Sequence, residues 1–280
     1  MLGTNPEDVR KRWRESAYYW SKHQNTIEQM FSPATQALIQ KAEITNGNQI
    51  LDVAGGMGEP SFSIAERYRD KVKITFTDLI FEMIEASRKE AINRKLDQIR
   101  FCRCSGDQLP FRDQSFDVIV SRFGIMFFPD PKKSLSDMRR VLKPGGRISV
   151  AVWHRRDNNP VHEYFMAEVE KLFPSDPIPP DAPDAFRFAE EGKLATVAKN
   201  AGFSNVQEHV TDIVMQSPIN FENFFVYRSE ISDQLRDKVK AMDSNLRNQL
   251  YNDLRARFEP YFDAEGLKLP GKIIVITAQK

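Results

Sequence analysis

The chain has 280 residues, 41% hydrophobic and 28% charged, with a formal net charge of +1. That length supports a substantial core in one large domain or two small ones. The near-neutral charge gives no electrostatic case for nucleic acid, whose binders carry a clear basic excess. No apolar run approaches the roughly 20 residues that a membrane-spanning helix needs, so no stable membrane insertion is expected. The N-terminal segment lacks the apolar region of a secretory signal. Two cysteines, Cys102 and Cys104, suit a reducing cytoplasm better than a disulfide framework.

In chain order, Glu7–Met30 has few helix breakers, and Pro33 reads as the start of a second helix reaching about Ala42. Trp13, Tyr18, Tyr19 and Trp20 stand beside Lys11, Arg12 and Arg14. They suit an aromatic flap over a ligand, or plain packing. A basic helix at a membrane surface is the weaker reading, because Glu15 and Glu28 interrupt its basic face.

From residue 48 the pattern alternates strand and helix. Strands are expected at Gln49–Val53, Val72–Thr77, Ile99–Cys104, Phe116–Ser121 and Arg147–Trp153. Helices are expected at Ser61–Tyr68, Glu82–Arg94 and Leu135–Leu142, the last stopped by Lys143-Pro144-Gly145-Gly146. Such alternation implies a doubly wound α/β fold with a mostly parallel sheet and right-handed crossovers. Beyond His154 the rhythm breaks. A helix is expected over Val161–Phe173, a proline-rich irregular stretch to about Asp184, a helix over Glu190–Ala201 and a strand near Val206–Met215. Residues 217–265 read as mostly helical, and Ile273–Ala278 as a final strand. The segments 155–189 and 217–265 are expected as insertions that face a substrate, form an oligomer such as a homodimer, or simply pack.

The stretch Asp52-Val53-Ala54-Gly55-Gly56-Met57-Gly58 follows the first strand and precedes a helix. Glycines there allow positive φ and close approach of a ligand, and the helix N-terminus offers free N–H groups. A dinucleotide fold asks for a third glycine, or alanine, where Ser61 stands, and a Walker loop asks for an absent Gly-Lys-Ser/Thr. Asp78, twenty residues beyond Gly58, ends the second strand. An acid there accepts bonds from ribose hydroxyls, although it also suits a helix N-cap. Asp107 follows the third strand, where a carboxylate can accept from an adenine amino group or simply serve a turn. Three such features at successive strand ends share the edge where open α/β sheets bind ligands.

These motifs, with Thr77-Asp78-Leu79, Gly106-Asp107-Gln108-Leu109-Pro110-Phe111, Ser115-Phe116-Asp117 and Arg140-Val141-Leu142-Lys143-Pro144-Gly145-Gly146, resemble those of class I S-adenosylmethionine-dependent methyltransferases. The first loop resembles the version seen in ubiquinone/menaquinone C-methyltransferases and their small-molecule relatives. The resemblance covers residues 48–153 or so and implies a seven-stranded, Rossmann-like sheet. It implies a single methyltransferase domain over 1–280, with a helical flap at 1–46, a cofactor-binding core at 47–153, and 155–189 and 217–265 as the substrate-side lid. It implies S-adenosylmethionine as cofactor, with Asp52, Ala54, Gly55, Gly56 and Gly58 around its methionine end. Asp78 would hold the ribose beside Leu79, Asp107 the adenine amino group with the Gln108 N–H nearby, and Ser121 the methionine amine through its carbonyl. Arg122 and Phe123 would face the reaction edge. Ala54 stands where the family usually has glycine, which a methyl group tolerates only if φ there is not positive.

A sulfonium methyl donor needs chiefly a nucleophile held in line, and a base only if the acceptor keeps its proton. His154, just past the fifth strand, is the best-placed histidine; His162 and His23 follow, and His209, alternating along a strand, reads as structural. Cys102-Arg103-Cys104 lacks the second pair a zinc site needs. The expected function is methyl transfer to an apolar or aromatic small molecule at oxygen, nitrogen or carbon, an acceptor suggested by phenylalanines outside the sheet. The alternatives are a nicotinamide-dependent oxidoreductase and a non-catalytic S-adenosylmethionine-binding protein. Ser121-Arg122-Phe123-Gly124 stands where a nucleic-acid methylase would carry Asn/Asp-Pro-Pro-Tyr/Phe.

Overall fold

The computed structural model describes residues 6–174, 179 and 181–280. Two helices, α1 (Pro6–Lys22) and α2 (Gln24–Ala42), precede the first strand. The break falls at His23, not before Pro33, which lies inside α2. Tertiary contacts explain the difference. Trp20 Nε1 donates to the Ile231 carbonyl at 3.1 Å, and His23 Nε2 lies 2.6 Å from Glu230, so the chain is pinned at that bend. Pro33 removes one helical hydrogen bond, a loss offset where Met30, Ala34, Leu38 and Ile39 bury against the sheet.

The central strands are β1 (Gln49–Val53), β2 (Lys73–Asp78), β3 (Ile99–Arg103), β4 (Phe116–Arg122) and β5 (Leu142–Trp153). Between them run α3 (Ser61–Tyr68), α4 (Phe81–Asn93) and α5 (Pro131–Val141). Ile50, Leu51, Ile119 and Val120 are fully buried, as continuous apolar strands between two helical layers require. β5 begins at Leu142, earlier than the sequence suggests. Its pairing with β4 shifts between Phe116↔Leu142 and Val118↔Arg147, so Lys143–Gly146 is a bulge that joins the helix end to the strand.

The second half contributes α6 (Pro160–Leu172), α7 (Lys193–Asn200), β6 (Ser204–Ser217), α8 (Phe221–Ile231), α9 (Asp233–Ala241), α10 (Ser244–Phe258), β7 (Phe262–Asp263) and β8 (Gly266–Gln279). Asn220, Ser232 and Asp243 cap the N-termini of α8, α9 and α10 with side-chain oxygens. Strands β6 and β8 outrun their predicted lengths because they pair with each other from Gln207↔Thr277 to Ser217↔Leu267. Of the proline-rich stretch, residues 175–178 and 180 lie outside the described residues.

The sheet order is β3-β2-β1-β4-β5-β8-β6, with β7 attached to β8. β1 to β5 are parallel, and β8 runs antiparallel between β5 and β6. The two-residue β7 makes eight strands of the expected seven. Strand order reverses between β1 and β4, so the crevice beyond their carboxyl ends is where such a sheet admits a ligand.

Candidate active site

The glycine loop leaves β1 with Ala54 at φ +58°, contrary to the expectation that an alanine there requires negative φ. The left-handed well is narrow but open to L residues, at a cost of roughly 1–2 kcal/mol. The backbone is held there by its surroundings. The Gly55 N–H donates to the Thr77 carbonyl at 3.0 Å, and Gly124 approaches so closely that a Cβ on it would stand 2.7 Å from Ala54 Cβ. Gly56 (φ +58°) faces open space, whereas a Cβ on Gly58 (φ +114°) would fall 2.0 Å from the Phe62 ring.

Asp52 lies beneath this loop and is fully buried. Its Oδ2 accepts from Ser61 Oγ at 2.7 Å, and its Oδ1 has no hydrogen-bond partner. Burial pushes its carboxyl up to about 7, against the Ser61 bond and the Arg122 charge. Ser61 thus carries a role: it supports the acid under the loop. Glu59 is a second buried carboxyl, likewise raised by burial to about 7 and bonded to Ser63.

Asp78 clamps the loop. Its Oδ2 accepts from the Gly56 N–H at 3.0 Å and its Oδ1 from the Ile80 N–H at 2.8 Å. Each oxygen keeps a further lone pair for a ligand hydroxyl, and burial raises the carboxyl pKa. Leu79 is half-buried and packs against the cluster of Ala17, Met57, Ile80 and Met83. It borders an open hollow of about 300 Å³ with Arg10, Arg14 and Arg103.

After β3, Ser105 Oγ donates to Asp107 Oδ1 and Lys133 Nζ to Oδ2 at 3.0 Å, which hold that carboxyl below its usual range. The Gln108 N–H, expected to be offered to a ligand, instead donates to the Ser105 carbonyl at 3.2 Å. Ser121 is buried, and its Oγ donates to the Val53 carbonyl at 2.7 Å, which joins the ends of β4 and β1. Arg122 turns inward: Nη1 donates to Thr35 Oγ1 on α2 at 2.6 Å, while Nε has no partner. Burial lowers its pKa, opposed by the charges of Glu59 and Asp52. Phe123 (φ +60°) stacks on Trp153 at 4.2 Å and 6°.

His154 stands apart. Asn158 Nδ2 lies 3.1 Å from its Nδ1 and Glu191 Oε1 lies 3.3 Å from its Nε2. Asn158 donates, so Nδ1 accepts and the ring proton sits on Nε2 toward Glu191. Both nitrogens are engaged by the segment that follows β5, and no hydrogen bond of the ring reaches the glycine loop.

A different group of residues adjoins the Phe123–Trp153 stack. His162 on α6 packs edge-on against Trp153 at 4.9 Å and Phe186 at 5.3 Å, and its Nδ1 lies 3.4 Å from Arg228 Nη2 on α8. Tyr227 and Arg228 are buried and His162 is half-buried with its Nε2 enclosed, and desolvation with the Arg228 charge drives the His162 pKa well below its ordinary value. Sequence reading passed over Tyr227 and Arg228. The one available signal was an arginine closing the run Phe224-Phe225-Val226-Tyr227. Helix α1 shares a cluster with the loop through Ala17 and Met57; Trp13 meets Phe127 at 5.1 Å and Trp20 at 5.6 Å, while from α2 Gln24 Nε2 donates to the Met57 carbonyl. Among the described residues no helix is long and apolar enough to cross a membrane, and no cluster of three metal-ligating side chains occurs.

Comparison with known proteins agrees with this geometry. The family model described as the ubiE/COQ5 methyltransferase family matches residues 28–177. The chain is 29% identical over 182 residues to the ubiquinone/menaquinone biosynthesis C-methyltransferase UbiE of Cellvibrio japonicus, covering 61% of this chain and 73% of that one. It is 43% identical over 104 residues to the UbiE of Bartonella bacilliformis, covering 37% and 40%. Phosphoethanolamine N-methyltransferase 2 of Haemonchus contortus, solved with S-adenosyl-L-methionine, superposes with a TM-score of 0.58 at 17% identity, over 97% of this chain and 60% of that one. That likeness establishes the Rossmann-like methyltransferase fold. The family match ends before α7, so Tyr227 and Arg228 stand outside it. On a match spanning more than half its length, the chain belongs to the ubiE/COQ5 methyltransferase family.

Proposed function

We propose that this protein transfers a methyl group from S-adenosylmethionine to an apolar or aromatic small molecule. The observation that carries the reading is the unpartnered Asp52 Oδ1, fully buried beneath a loop whose Gly56 faces open space. An unpaired buried acceptor is costly, by about 1–3 kcal/mol, and a cationic amine above the loop relieves it. When bound, the donor supplies a methyl carbon already activated by a sulfonium. The chain's residues then bind and orient. Asp52 takes the amine, the spare lone pairs of Asp78 take the ribose hydroxyls, and Asp107 takes the adenine amino group.

Phe31, Phe123 and Trp153 form a wall of edge and stacked contacts at the end of β4. Such a wall excludes water and aligns a flat acceptor with the methyl group, an orientation effect. In this reading α1, α2, α6 and α8 to α10 would close the site from above. The names of the UbiE relatives make a ring precursor of a quinone the first acceptor to try. Calorimetric titration with S-adenosylhomocysteine and with NADH, then transfer of labelled methyl to a phenolic panel, tests the reading. Binding of NADH alone would sink it, and binding of S-adenosylhomocysteine without any methylated product would point to a non-catalytic protein.

A further inference from the structure

The open hollow beside Leu79 is shared by three elements. Arg10 and Arg14 reach it from α1 and Arg103 from the end of β3, while residues 79–82, at the turn into α4, complete its lining. Three guanidinium side chains thus border one space of about 300 Å³, room enough for a phosphate group and part of what bears it. Their existing partners are few. Arg10 makes no hydrogen bond or ion pair among the described residues. Arg103 Nε donates to the Leu79 carbonyl at 3.1 Å, and Arg14 stands 3.9 Å from Glu82 with both side chains about half exposed. Glu82 is the one acid in the lining, so three arginines face one carboxylate; Glu7 and Asp8 of α1 do not line it.

An apolar ring is exposed amid this charge. Phe81, also in the lining, is 52% exposed, whereas the other phenylalanines are buried or half-buried. Tyr18, 70% exposed, continues the stripe of Arg10 and Arg14 along α1 at a spacing of four residues. The acids that interrupt the basic face in the sequence lie elsewhere: Glu15 is 4.0 Å from Lys11 on the neighbouring stripe, and Glu28 belongs to α2 and pairs with Arg94 at 2.6 Å.

Guanidinium groups pair with phosphate oxygens through parallel hydrogen bonds. A free phosphate would use the arginines and leave Phe81 in water. An anionic membrane surface uses both, since cations meet its headgroups while an aromatic ring enters the boundary beneath them. We propose that the hollow is a phosphate site through which the protein docks on an anionic lipid surface, with Arg10, Arg14 and Arg103 on headgroup phosphates and Phe81 in the layer below. Docking of this kind is independent of the reaction that the chain performs.

Co-sedimentation of the full chain with vesicles of equal parts phosphatidylglycerol and phosphatidylcholine tests the site. Wild type should bind them, bind pure phosphatidylcholine about tenfold more weakly or less, and lose affinity as salt screens the charges. Arg10→Glu combined with Arg103→Glu should weaken binding about tenfold or more, since each basic residue near such a surface is worth roughly fivefold. Lys199→Glu combined with Arg247→Glu makes the same change in net charge at exposed positions outside the hollow, and should stay within about twofold of wild type. Phe81→Ser leaves every charge in place and should weaken vesicle binding about threefold or more. Absence of binding to the anionic vesicles, an equal loss in the two double variants, or wild-type binding by Phe81→Ser would each overturn the docking site. So would calorimetric binding of glycerol 3-phosphate as tight as that of the vesicles, which would make the hollow a site for soluble phosphate esters.

Discussion

Asp78 and Gly56 are joined by a 3.0 Å hydrogen bond, from the glycine N–H to the carboxylate Oδ2, across the gap between β2 and the loop after β1. The acid that would hold a ribose therefore also sets the shape of the loop that would hold the methionine end. Asp78→Ala removes both functions at once. It should weaken S-adenosylhomocysteine binding by about 2–4 kcal/mol, the cost of a charged partner plus an orphaned N–H, and lower the melting temperature. Calorimetry and thermal unfolding read the two effects separately.

Asp52 gives a pH dependence with a definite sign. Its folded pKa of about 7 stands above its ordinary 3.8, so its contribution to stability is fully present below about 4 and is lost as pH rises through about 7. Glu59 acts in the same direction over the same window. Asp52→Asn removes one of these terms. Urea unfolding should find the variant gaining stability relative to wild type as pH rises from about 4 to 7. A cationic ligand amine prefers the ionised acid, so wild-type affinity for S-adenosylhomocysteine should rise through the same interval, and the Asn variant should lose most of that slope.

The sheet and its edge were legible because periodicity and turn chemistry are local. Continuous apolar strands such as Phe116–Arg122, glycines at strand ends and Asp78 at its spacing all report on neighbours in sequence. The helix break at His23 and the full lengths of β6 and β8 were not, since Glu230, Ile231 and the β6–β8 pairing fix them from far along the chain. The positive φ of Ala54 was missed because the Thr77 bond and the close pass of Gly124, not intrinsic preference, set it. Likewise the approach of Arg228 to His162 became visible only once α6 and α8 were seen side by side.

Gly58 combines a φ of +114° with a Phe62 ring in the place of any Cβ. Phe62 is fully buried, so the ring has nowhere cheap to move. Gly58→Ala should cost about 2–4 kcal/mol of stability, measured by urea unfolding. Gly56→Ala should cost less, since open space surrounds that position and only its φ is strained.

His154→Ala should destabilise by about 1–2 kcal/mol through the loss of its bonds to Asn158 and Glu191. It should leave kcat/KM for methyl transfer within about threefold of wild type. A loss of a hundredfold with an unchanged melting temperature would return His154 to the reaction.

The loop from Asp52 to Gly58, clamped by Asp78, is proposed as the seat of the methyl donor. Calorimetric titration of S-adenosylhomocysteine into wild type, Asp78→Ala and Asp52→Asn near neutral pH tests it most directly. Wild type should bind saturably, one to one, and each variant should lose about tenfold or more in affinity. Wild-type binding that both variants retain unchanged, or no binding at all, would contradict it.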